Sequence, residues 1–340
     1  MLSRRLSVLA LAGACAALWP LAAPAEESAA AHDDGLDRRE VRAWLMRIHE
    51  AAGRRNFQGT FVVSTGASVS SARIAHYCDG RNQFERIETM DGQLRRIFRH
   101  NDVVHTLWPQ RHLALVEQRD LMSSFPALLQ GGDERIADAY EVRPLGVERV
   151  AGREANVLGI KPRDALRFGY KLWADKATGL LLRAEVLDER DQVLESSAFS
   201  ELTIGVKTQP ESVLQPMSRL DGYKVLHPTL VPTRLENEGW TLRPPASGFR
   251  QVSCVRRPLD ETADAGATPQ VLQSIYSDGL TYVSVFIEPF DAERHLRPMQ
   301  TSSGATQTLM QRLGDAWVTV VGDVPMATLR LFAGALEHKN

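Results

Sequence analysis

His100, His105 and His112 sit in neighbouring strand-like segments, where a stack of hairpins could bring their imidazoles together over a metal ion. Their spacing fits core or surface histidines equally well, so metal ligation is not selected. Arg95, Arg96 and Arg99 share one such segment, and Arg73, Arg81 and Arg86 lie on the segments before it. Guanidinium groups gathered in this way suit phosphate or carboxylate, which they grip through parallel N–H donors. Glu85, Glu88 and Asp91 are interleaved among them, so cross-strand ion pairing explains the same pattern. Glu185 and Asp188 lie near a turn and read as solvated charge. The sequence carries no Gly-x-Ser-x-Gly, His-Glu-x-x-His or Cys-x-x-Cys, and no phosphate-cradling glycine loop. A chain of 340 residues that performed catalysis would ordinarily display a nucleophile or a ligand cluster. The reading is therefore a binding protein, with no enzyme activity, cofactor or metal.

Charge narrows the partners. Forty basic residues stand against 42 acidic ones, a formal net charge of −2, without the basic excess of a nucleic-acid binder. The start of the chain has a basic pair (Arg4, Arg5), an apolar run from Leu6 to Leu18, and a small-residue site at Ala23-Pro24-Ala25. That order predicts a secretory signal peptide over residues 1–25, cleavage after Ala25 and a periplasmic mature protein starting at Glu26. Cys15 lacks the large aliphatic residue three positions upstream that a lipidation site needs. Cys78 and Cys254 fall in what read as different domains, so free thiols are expected even in an oxidising compartment.

The elements that position these side chains are mostly strands. Asn56 to Val63 alternates with a period of two and is rich in aromatic and β-branched residues, a strand signature. Before it, Val41, Trp44, Leu45, Ile48, Ala51 and Ala52 recur at helical spacing. The helix is expected over Asp37 to Arg55, capped by Asp33 or Asp34. After it, short alternating runs are joined by tight-turn residues such as Asp79-Gly80, Asp91-Gly92 and Asn101-Asp102. A short helix or lid is expected over Leu121 to Gly132. The fold class that follows is mainly β with α+β: a large open antiparallel half-barrel with a plug helix over 36–205, of about eleven strands, and a smaller C-terminal α+β domain over 236–340. Residues 206–235 carry Pro210, Pro216, Pro228 and Pro232 and read as a linker.

An open half-barrel of that width leaves an apolar concavity where acyl chains can bind. Phe57, Phe61, Phe84, Phe98, Trp108, Tyr170 and Trp173 are the candidate lining. Each also reads as ordinary core between sheet and helix.

Several stretches resemble one family. Asn56–Val63, Gly169–Asp175 through Leu180–Asp188, and Val193-Leu194-Glu195-Ser196 are similar to the RseB/MucB family, periplasmic regulators of an envelope-stress sigma factor. In the second domain the similarity continues in Gly248-Phe249, Arg256-Arg257-Pro258, Tyr276–Leu280 and Val320–Pro325. The resemblance implies a first domain like the outer-membrane lipoprotein carriers. It also implies binding to the periplasmic part of a single-span anti-sigma factor, which is thereby shielded from proteolysis. Release by lipid or lipopolysaccharide is implied as well. On that basis, with the interface chemistry of Arg and Tyr, Arg256, Arg257, Tyr276 and Asp278 are the expected partner-binding residues. A lipid or lipoprotein carrier is the alternative, which the first domain alone would fit. Oligomeric state, a homo-oligomer included, is left open.

Overall fold

The computed structural model describes residues 35–66, 68–118, 136–259 and 269–339. The leader, Asp33, Asp34 and the segment Leu121 to Gly132 lie outside the described residues. Helix α1 (Arg38–Arg54) opens with a reciprocal capping box at Asp37. The Asp37 carboxylate accepts from the N–H groups of Arg39 at 2.8 Å and Glu40 at 2.9 Å, and Glu40 accepts from the Asp37 N–H at 2.9 Å. This satisfies donors that the first helical turn otherwise leaves bare.

The first sheet has 12 strands. In chain order they are β1 (Phe57–Thr65), β2 (Ser68–Cys78), β3 (Gln83–Thr89), β4 (Arg96–His100), β5 (Val103–Trp108) and β6 (Leu113–Gln118). Next come β7 (Tyr140–Val150), β8 (Arg153–Pro162), β9 (Gly169–Asp175), β10 (Leu181–Leu187), β11 (Val193–Ile204) and β12 (Lys224–Leu226). Their order across the sheet is 12-6-5-4-3-2-1-11-10-9-8-7, so β1 is central and the sheet stays open. A one-turn helix α2 (Ile136–Ala139) leads into β7. β7 carries Pro144 at a register shift, tolerable because β7 is an edge strand that needs no second ladder.

Both faces of this sheet are covered. Val41, Leu45 and Ile48 of α1 pack with Leu158, Tyr170, Leu172 and Ala184 on one face. Ala75, Tyr77, Phe84, Phe98 and Leu107 on the other face pack beneath helix α3 (Glu211–Ser218) through Val213, Leu214 and Met217. The expected linker is therefore corrected: α3 and the parallel pairing of β12 with β6 belong to the first sheet. Pro210 hides the helix in composition but stands at its N-cap, where a missing N–H is harmless.

Gly59 marks the tightest approach in the central strand. A Cβ there would lie 2.1 Å from the Glu201 carbonyl oxygen, beside the register shift between β1 and β11. Because that contact is backbone, no side chain can rotate away to relieve it. Gly59→Ala is expected to destabilise the chain by about 3 kcal/mol or more, as overpacking of a core does. A urea midpoint equal to that of wild type would show that the strands separate without penalty.

The second sheet has seven strands. They are Val231–Pro232, β13 (Arg250–Pro258), β14 (Gln270–Ser277), β15 (Tyr282–Pro289), β16 (Met299–Ser303), β17 (Thr306–Leu313) and β18 (Ala316–Gly322). Helix α4 (Met326–Gly334) buries Leu329 and Phe332 against Val283, Val285, Val318 and Val320. Strand β16 carries no strand signature in its sequence, a polar run of Gln, Thr and Ser without apolar alternation, and it is exposed throughout.

Candidate functional site

Three of the stretches that carry the resemblance, Gly248-Phe249, Tyr276–Leu280 and Val320–Pro325, converge where the two halves meet. Asp278, in the turn after β14, is the centre of the seam. Its Oδ1 accepts from the N–H groups of Leu280 at 3.0 Å and Thr281 at 2.9 Å. Its Oδ2 accepts from the Tyr140 hydroxyl of β7 at 2.9 Å and from Arg167 Nε at 2.6 Å. The side chains of Arg167 and Asp278 are 1% and 0% exposed, so the pair is fully desolvated. Arg167 also donates to Asp164 and to the Ser247 carbonyl, and its guanidinium lies 4.9 Å from the Phe249 ring. Burial, and next the Asp278 charge, hold the Tyr140 phenol well above its ordinary pKa, so it remains a donor.

Other contacts extend the seam. Leu280 and Ala305 pack into the cluster of Tyr140, Phe168 and Tyr170, and Thr328 Oγ1 of α4 donates to the Leu166 carbonyl at 2.7 Å. Glu195 of β11 and Asp323 after β18 are both pushed up from ordinary carboxylate values by burial, and for Glu195 also by the Asp323 charge. Thr306 Oγ1 donates to Asp323 Oδ1 at 2.6 Å and partly offsets this.

Beside the seam lies an open groove of about 1310 Å³. Arg143, Gly159, Lys171 and Glu185 form one cross-strand row along its wall, and Gln307, Pro325 and Met326 of the second half close its far side. Leu145 is 51% exposed and covers Gly159, whose Cβ would meet it at 3.0 Å. A wall of both charge signs with apolar side chains between them suits a peptide segment.

The aromatic residues expected to line one cavity are divided. Registers place Phe57, Phe61, Trp108 and Tyr170 on the α1 face, and Phe84, Phe98 and Trp173 on the opposite one. Phe57 and Phe61 meet Phe199 edge-on at 5.9 and 5.3 Å. Trp108 packs with Leu113, Leu115 and Leu226, whereas Phe84 and Phe98 lie under α3. Trp173 donates Nε1–H to Glu148 at 2.8 Å and sits between Lys171 and Arg183. A single cavity lined by all of them is corrected on this ground: alternate parity sends them to two separately covered faces.

The expected partner residues also part company. Arg256, with a side chain 53% exposed, pairs with Glu238, and Arg257 donates to Gln273 Oε1 at 2.8 Å. Tyr276 and Asp278 are each 1% exposed, Tyr276 against Phe332. As surface contacts Tyr276 and Asp278 are corrected, because both are interior. Arg167 was missed altogether; the turn between β8 and β9 gives no local sign of a partner 111 residues away. The histidines go to different neighbours, His100 to Phe84 and His112 to Tyr223. Among the described residues no metal-holding cluster forms, and Cys78 and Cys254 are free.

Comparison with known proteins places the chain. The MucB/RseB N-terminal domain matches residues 40–217 and the MucB/RseB C-terminal domain residues 234–337. The sigma factor AlgU regulatory protein MucB of Pseudomonas aeruginosa is 31% identical over 318 residues, 91% of either chain. The sigma-E factor regulatory protein RseB of Escherichia coli K12 is 25% identical over 293 residues, 86% of this chain and 88% of that one. The solved complex of Pseudomonas aeruginosa MucA and MucB has a chain that aligns with a TM-score of 0.67 at 27% identity, over 88% of this chain and 99% of that one. With both domain matches in the same order and a relative alike over almost its whole length, this chain belongs to the MucB/RseB family.

Proposed function

We propose that this chain is a periplasmic negative regulator of an envelope-stress sigma factor. It binds the periplasmic segment of a single-span anti-sigma factor and shields that segment from proteolysis. The observation that carries the reading is the 31% identity, across 91% of either chain, to a protein named as a sigma factor regulator. A likeness at TM-score 0.65 to MucB solved in complex with MucA(peri) supports the choice of partner. The leader of basic, apolar and small residues supports the compartment. Among the described residues no helix is long and apolar enough to cross a membrane.

The groove beside the seam is the docking site in this reading, with the exposed Arg256 as an outlying contact. Asp278 and Tyr276 act from inside by fixing how the two halves meet. Lipid or lipopolysaccharide acts as the releasing signal by favouring an arrangement of the halves that the partner disfavours; linkage then makes the antagonism reciprocal. Arg256→Glu combined with Arg257→Glu is expected to weaken binding of the anti-sigma segment by about tenfold, or 1.4 kcal/mol. Calorimetry with the synthetic segment reads this, and circular dichroism should be unchanged. Unaltered affinity removes those arginines from the site, and no binding by the wild-type chain overturns the function.

A further inference from the structure

Positive charge collects without explanation on the α3 face of the first sheet. Arg73, Glu88, Arg96 and Leu107 form one cross-strand row, and Ala75, Arg86, Phe98 and His105 the next. Arg86 and Arg96 are thus diagonal neighbours on one face, within reach of a common ligand. α3 and the turn after it close over these rows and leave a cavity of about 300 Å³. Arg86, Arg96, Arg219, Phe98 and Tyr223 line it, and Glu88 is the one carboxylate among the described lining residues.

Glu88 is already engaged: Arg96 Nε donates to it at 3.1 Å. Arg86 is half-buried beneath the helix and Arg219 forms the C-cap of α3. Among the described residues neither guanidinium has a hydrogen-bonding or ionic partner. A partly desolvated cation without a counter-charge is unfavourable, and a second one facing the same small space adds repulsion. An anion offsets both costs, and the planar guanidinium fork matches phosphate oxygens. Phe98 and Tyr223 would flank an apolar or sugar-like part attached to it, while the Tyr223 hydroxyl offers one more donor. At about 30 Å³ per water, the space accommodates a phosphate group with a short ester.

We propose that this pocket binds a phosphate group, free or carried on the headgroup of an amphiphile, with Arg86 and Arg219 as its two open ligands. The reading does not depend on the regulatory partner. It does place an anion on α3, which is followed by β12 and then the irregular stretch 227–230 that leads into the second half.

Calorimetry on the full mature chain in a phosphate-free buffer tests this. The probes are sodium phosphate, dihexanoyl phosphatidic acid and octyl glucoside, the last two below their micelle concentrations. Wild type is expected to bind the two phosphate probes and not the glucoside. Arg86→Met and Arg219→Met are each expected to weaken binding by about tenfold, the loss of one charge-assisted contact, and Arg86→Lys to restore part of it. Because Arg219 is exposed, its variant should fold like wild type. Equal affinity for both phosphate probes identifies a free-phosphate site, and tighter phosphatidate binding identifies a headgroup site. Binding of the glucoside as tightly as phosphatidate, identical affinities in wild type and both methionine variants, or no phosphate binding at all overturns the proposal.

Discussion

Asp278→Ala is expected to destabilise this protein by about 3–5 kcal/mol, the cost of removing one member of a buried ion pair. The substitution leaves Arg167 desolvated with a side chain 1% exposed, and it strips acceptors from the Tyr140 hydroxyl and the N–H groups of Leu280 and Thr281. Arg167→Met is expected to cost less, because Asp278 then keeps three donors. The double variant should cost less than the sum of the singles, since both lose the same 2.6 Å bond. Loss of the seam also uncouples the halves, so the less stable one melts first and a second transition appears in calorimetry. Strict additivity, or one transition at the wild-type midpoint for Asp278→Ala, would show that the seam holds little energy. The same variants bear on the proposed function. If the partner needs a fixed groove, they weaken its binding although Asp278 cannot touch it.

What the sequence revealed followed from locality. The period-two run at Asn56–Val63 and the helical spacing of Val41, Leu45 and Ile48 are written within a few residues of one another, and both elements form as expected. The Asp-Gly turns likewise announce themselves, with Gly80 at φ 88° and Gly92 at φ 66°. α3 was hidden because its prolines outweighed the apolar spacing of Val213, Leu214, Met217 and Leu220, a helical signal present all along. Strand β16 has no such signal, since its pairing with β17 is set by a neighbour and not by burial.

The candidate site was legible in a different sense. Tyr276–Leu280, Gly248-Phe249 and Val320–Pro325 were singled out by resemblance, and they meet at one place. Their role was misjudged because residue type does not reveal exposure: Tyr and Asp serve surfaces as readily as buried clamps. Gly322 illustrates the point. A Cβ there would approach the Tyr282 carbonyl oxygen to 2.5 Å, so its presence in the Val-Val-Gly-Asp-Val-Pro run reflects strand packing and not contact with a ligand. Arg167 shows the complementary failure, a residue central to the seam whose importance arises only from a contact distant in sequence.

Between about pH 5 and 8 the stability of wild type is expected to fall relative to that of Glu85→Gln. Glu85 lies in a buried row with His76 on β2 and Arg99 on β4, directly opposite it in register. Burial pushes its carboxyl up from 4.5 to about 7, although Arg99 opposes the shift. The opposition is weak because Arg99 Nη1 stands 4.0 Å away, while Arg99 Nε is committed to the Asn101 carbonyl at 2.6 Å. The folded state therefore holds the Glu85 proton more tightly than the unfolded chain does. That contribution is complete below pH 4.5 and is lost as pH rises through about 7. A shift from 4.5 to about 7 corresponds to about 3 kcal/mol between the extremes. His76, lowered by burial, works in the other direction and loses its contribution as pH falls. His76 is present in both proteins, so their difference reports the replacement of Glu85. Urea midpoints of both proteins at pH 5 and pH 8 give that difference. It should grow in favour of Glu85→Gln at pH 8, and a pH-independent difference would show that Glu85 titrates as an ordinary exposed carboxyl.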